Sequence, residues 1–160
     1  MKARTFLLAG LVLFGMPSPA NSSANSPTGT ELSIFVPSAL QWGKGPQGLP
    51  AGAKSVVLEG DPSKPGQFTL RLKLPAGYRI PPHWHPNVEH ITVLEGGFQL
   101  GHGERFDPKA LREMPPGSFA YIPKGHRHFA VSTGESIIQL HGIGPWEIHY
   151  VNPADDPRGR

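Results

Sequence analysis

Nineteen prolines and twenty glycines interrupt this chain of 160 residues, and that punctuation limits its fold more than any other feature. Proline lacks the N–H that a helix interior needs, and glycine loses too much backbone entropy there. Long helices are therefore excluded, and short extended segments between turns remain. Residues 67–74 show the pattern most clearly. Phe68, Leu70, Leu72 and Leu74 alternate with Gln67, Thr69, Arg71 and Lys73, which is the period of a strand with one dry and one wet face. Residues 56–59, 84–85, 90–94, 98–101, 119–122, 128–132, 137–141 and 146–151 read as further strands, separated by glycine, proline or polar turns. Many short strands at such spacing predict an all-β antiparallel sandwich or barrel. Residues 109–114 are expected to make one helical turn, stopped by Pro115-Pro116-Gly117.

The first twenty residues have a different character. Lys2 and Arg4 precede an apolar run over residues 6–16 and then a small, polar stretch, the order of a secretory signal peptide. The run is shorter than the ~20 apolar residues a membrane-spanning helix needs. Cleavage is expected after Ala20 or Ala24, which places the mature chain in the periplasm or outside the cell. Residues 21–30 read as a flexible leader, 31–151 as one domain and 152–160 as a polar tail that frays. Cleavage after Ala20 leaves thirteen basic against twelve acidic side chains. No basic cluster survives to grip phosphates, so nucleic acid is not an expected partner. The chain has no cysteine, which rules out thiolate nucleophiles, iron–sulfur clusters, disulfides and a lipoprotein-type membrane anchor.

Gly77, His83, His85, Glu89 and Gly96 make the densest constellation in the sequence. Side chains alternate along a strand, so His83 and His85 project to the same face and can approach one ion together. Pro86-Asn87 turns the chain, and Glu89 can return on the next strand. A divalent ion needs several neutral imidazoles or carboxylates at ~2.0–2.2 Å on rigid elements. A second block runs through Gly117, Pro123, Gly125 and His128. Its Pro123-Lys124-Gly125 is a tight-turn signature that delivers His128 onto a new strand, where it can complete the site. His126, two residues earlier, shares that strand face and competes for the role.

The two blocks resemble the two motifs of the cupin superfamily, G-x5-H-x-H-x3-E-x6-G and G-x5-P-x-G-x2-H-x3-N. The first matches at every marked position, and the second matches through His128 but has Ser132 where asparagine is common. In size and layout the chain is similar to small single-domain cupins of the ChrR-like kind. The resemblance implies an RmlC-like double-stranded β-helix, or jelly roll, with His83, His85, Glu89 and His128 holding one divalent transition metal (Fe, Mn, Ni, Cu or Zn). It selects His128 over His126. Such a donor set leaves open positions for water, dioxygen or substrate, so the implied activity is that of a metal-dependent dioxygenase-like oxidoreductase on a small organic molecule. Glu89 is then both ligand and proton acceptor. A module that binds a metal or ligand, or senses stress, without turnover is the alternative. A homodimer is also implied.

Phe68, Leu70, Leu72, Ile91 and Val93 are expected either to wall a dry pocket or to form ordinary core. His90 is expected to point away from the face of Glu89. His141 and Gln139 share a strand face that points either inward, beside the ligands, or outward. His102 and His149 read as plain surface residues.

Overall fold

The computed structural model describes residues 32–159; the expected signal peptide and leader lie outside the described residues. Eleven strands dominate its regular structure: β1 (Gly43–Lys44), β2 (Lys54–Glu59), β3 (Gly66–Leu74), β4 (Arg79–Trp84), β5 (Glu89–Glu95), β6 (Phe98–His102), β7 (Arg112–Met114), β8 (Phe119–Ile122), β9 (His128–Ser132), β10 (Ser136–Gly144) and β11 (His149–Tyr150). They form two antiparallel sheets, one in the order β1-β2-β3-β10-β5-β8 and the other β11-β4-β9-β6-β7. This is the all-β jelly roll that the motifs imply.

The alternation in β3 has its expected consequence, since Phe68, Leu70, Leu72 and Leu74 are all buried. With Ile91 and Val93 of β5 and Ile138 and Leu140 of β10 they form the inner face of the sheet, in one core with Ile80, Phe98 and Ala130 of the opposite sheet. Burial of such side chains stabilises the fold by ~1.5–3 kcal/mol each. Gly96 closes the β5–β6 turn at φ +78°, and a Cβ there would fall onto the Glu135 carbonyl oxygen. Glycine meets both demands without strain.

Two local expectations change. Residues 109–114 hold no helical turn of the α kind. A 3-10 turn covers Pro108–Ala110, capped by the Asp107 side chain accepting from the Lys109 N–H at 2.9 Å, and β7 follows at once. Pairing with β6 pulls these residues into the sheet. The strand expected over residues 146–151 shrinks to β11, because residues 145–148 serve the site described next. In the tail, Pro153–Asp155 and Pro157–Gly159 form 3-10 turns, and Arg158 donates to the Ile148 carbonyl at 2.8 Å and to Asp156 at 2.7 Å.

Candidate metal centre

His83 lies near the end of β4, opposite His128 at the start of β9. The register between these strands shifts between Ile80 and His83, where Pro81 and Pro82 have no N–H to give to a ladder. That shift turns both His83 and His85 inward. Pro123-Lys124-Gly125 makes the expected turn, with Gly125 at φ +72° and its N–H donating to the His85 carbonyl at 2.8 Å. The second block is thereby tied to the first. Ser132 occupies the end of β9, where its hydroxyl donates to the Gly134 carbonyl at 2.7 Å and lies 2.6 Å from the Ser136 hydroxyl, so it braces the turn into β10.

The ligating-type nitrogens of His83, His85 and His128 all lie within 4.8 Å of one another. Each ring is 2–3% exposed. Glu89, 4% exposed, enters from β5 and places Oε2 3.4 Å from His85 Nε2 and 3.6 Å from His128 Nε2. The three rings are oriented in one manner. His83 Nδ1 donates to the Pro81 carbonyl at 2.7 Å, His85 Nδ1 to the Glu147 carbonyl at 2.6 Å, and His128 Nδ1 to the His126 carbonyl at 3.0 Å.

A carbonyl oxygen only accepts, so each Nδ1 carries a proton and each ring, when neutral, presents a bare Nε2 lone pair to the centre. Three lone pairs and a carboxylate converging in a dry space repel one another unless a cation joins them. His85 Nε2 is buried without any hydrogen-bond partner. The group therefore fits a divalent ion, with His83, His85, His128 and Glu89 as the residues to hold it. Carbonyl partners on the outer nitrogens are also the usual device for fixing the tautomer of a metal-binding histidine.

The electrostatics differ from ring to ring. Burial, then His128 and His85, hold His83 well below the usual histidine range, so it is neutral near pH 7. Burial also opposes charge on His85, but the Glu89 carboxylate and the Glu147 carbonyl outweigh it and raise the pKa. Glu89 is fully buried, which favours its neutral form, yet His85 and His128 keep its pKa well below the ordinary carboxylate value.

The remaining expectations sort cleanly. His126 is exposed and lies beside His102, with ring centroids 6.1 Å apart. His90 points away from Glu89 as expected. His141 faces outward too, stacked on His90 with centroids 4.7 Å apart, and Gln139 accepts from Arg71 Nε at 3.0 Å on that outer side. His149 stacks on Trp84 at 4.4 Å. Leu72 and Ile91 line the cavity around the inner imidazoles, whereas Leu70 and Val93 are core and Phe68 adjoins an outer cavity beside His90 and His141.

Sequence reasoning missed Trp146. Its indole N–H donates to Glu89 Oε1 at 3.0 Å and its ring stacks on His85, with centroids 5.3 Å apart. It is 57 residues from Glu89 along the chain, and no local spacing marks it.

The free space at the centre is about 20 Å³, walled by Leu72, Ile91, Leu140 and Trp146 among others. That is room for about one water-sized group. A larger cavity of about 380 Å³, lined by His102, Arg112, Tyr121 and His126, lies outside it, and Leu100 and His128 wall both.

Comparison with known proteins agrees with the fold. No curated protein matches the sequence. Among solved structures, the polyketide cyclase RemF from Streptomyces resistomycificus is 19% identical, with a TM-score of 0.64 over 79% of this chain and 90% of that one. An acetylacetone dioxygenase from Acinetobacter johnsonii is 16% identical, with a TM-score of 0.60 over 82% and 84%. An RmlC-like cupin from Shewanella frigidimarina is 14% identical, with a TM-score of 0.53 over 71% and 91%. The sequence profile of the ChrR cupin-like domain matches residues 32–147, and the chain belongs to that cupin family.

Proposed function

We propose that His83, His85, Glu89 and His128 hold one divalent transition metal and that the site carries oxygenase-type chemistry on a small organic molecule. The observation behind this reading is the orphaned, buried His85 Nε2 facing Glu89 in a ring of tethered imidazoles. When bound, the ion would act as a Lewis acid and orient substrate or dioxygen. The chain's own residues do the rest. The Pro81, Glu147 and His126 carbonyls hold the three Nδ1 protons and keep the Nε2 atoms aimed inward. Glu89 stays ionised and faces His85 and His128 through Oε2. The apolar walls exclude bulk water.

The outer cavity gives an organic molecule a place to bind, with His128 and Leu100 as the boundary it shares with the inner one. The likeness to an acetylacetone dioxygenase is in keeping with this reading. The test is dioxygen uptake by metal-loaded protein with a panel of diketones and phenols. Uptake that depends on substrate and disappears in His83→Ala supports the enzyme. No uptake from fully loaded protein overturns it.

The small inner volume favours a second reading, in which the site binds or senses a small ligand without turnover. Ligand-dependent change in the metal's spectrum, with no product, would single it out. We further propose that the chain is exported, its signal ending at Ala20 or Ala24; N-terminal sequencing of protein recovered from the periplasm or medium tests this. Phe119 and Tyr121, 58% and 59% exposed on the outer sheet face, support a homodimer, which sedimentation tests.

A further inference from the structure

Residues 145–147 reach the centre from two directions at once. The Glu147 carbonyl fixes His85 through Nδ1, while Trp146 stacks on the same imidazole and donates its indole N–H to Glu89 Oε1. The segment is itself held in place. The Trp146 backbone N–H donates to the Pro62 carbonyl at 2.7 Å, and Asn87 Nδ2 donates to the Pro145 carbonyl at 3.2 Å. Glu89 thus has its two oxygens in different environments. Oε1 is occupied by the indole, and Oε2 faces the imidazoles of His85 and His128.

We infer that Trp146 is the positioning residue of the centre, restraining Glu89 so that it offers a bound metal one oxygen, Oε2, and not both. The inference rests on the metal reading above and adds a coordination mode and the residue that sets it. A carboxylate without such a partner rotates about its last torsion, which is broad, and can swing both oxygens toward a cation. The indole N–H removes that freedom by taking one oxygen. Partners of this kind, one step out from the metal, typically change affinity by about 10–100-fold when removed.

Co(II) is the probe, since its visible bands report coordination number and donor set. In wild-type protein, Co(II) binding that is lost in His83→Ala secures the underlying metal reading; no binding at all would sink that reading rather than this one. Given binding, Trp146→Phe keeps an aromatic ring over His85 and removes the N–H. The expected result is Co(II) affinity lower by about tenfold or more, with altered visible bands. On a Glu89→Ala background the same substitution should change neither, because its effect runs through Glu89. An unchanged affinity and spectrum in Trp146→Phe would overturn the inference, as would an equal loss on both backgrounds. Infrared difference spectra of wild-type protein with and without Co(II) provide a check that needs no folded Trp146 variant. A carboxylate splitting of the one-oxygen kind is expected, and one of the two-oxygen kind overturns the inference.

Discussion

Two histidine clusters lie back to back across the six-stranded sheet, and they differ in everything except residue type. Inside, His83, His85 and His128 are buried, each Nδ1 is tied to a carbonyl, and the Nε2 atoms converge beside Glu89. Outside, His90 and His141 lie flat against each other at 4.7 Å and 12°, next to Phe119 and Tyr121, and His90 Nδ1 is 3.3 Å from the His141 carbonyl. The outer rings use their faces, and the inner rings use their lone pairs. What separates a candidate metal centre from an aromatic patch is therefore the convergence of buried Nε2 atoms on a carboxylate, rather than the number of histidines.

The strongest way to break that contrast is to delete each cluster in turn. His83→Ala with His128→Ala is expected to abolish Co(II) binding, while His90→Ala with His141→Ala leaves one site of unchanged affinity, as read by titration of the visible bands. Binding that survives the first pair or vanishes with the second would contradict the contrast.

Acid should release the metal next most strongly. A metal-bound Nε2 carries no proton, so the metal-free form takes up more protons and acid favours it. Affinity is expected to fall on going from pH 7 to pH 5, by up to about tenfold per pH unit for each proton displaced. His85, whose pKa is raised, takes up its proton before His83, whose pKa is lowered. Competition with a chelator across this range measures it, and an affinity independent of pH would exclude imidazole ligands.

Stability gives a smaller signal. Metal at about 100 times its Kd should stabilise the native state by about 2.7 kcal/mol, seen as a rise in Tm for the wild type and for the outer-pair variant, and as none for the inner-pair variant. The smallest effect belongs to His102→Ala at the exposed rim. It should change stability by no more than about 0.5 kcal/mol and leave Co(II) affinity untouched. A large loss of affinity there would move the site outward, toward His126.

Much of this was legible before the fold. The alternation of residues 67–74 set β3 with its dry face, and the spacing of His83, His85, Glu89 and His128 named the residues that meet inside. Strand periodicity also placed His90 opposite Glu89's face. It left His141 and Gln139 open because alternation fixes a relative face, and only pairing with β3 and β5 says which face is inside. The helical turn at residues 109–114 was misread because the local composition is polar and turn-rich, and what orders these residues is a distant partner, β6. Trp146 was invisible on the same grounds, since its meaning lies entirely in the contact with Glu89.

The central claim is that the inner cluster is built for a cation. Its most direct test is the metal content of wild-type protein, purified from its native compartment and again after chelation and reloading. The account predicts close to one transition-metal ion per chain as purified, lost to the chelator and restored on reloading. A correctly folded barrel that arrives without metal and takes up none would contradict it.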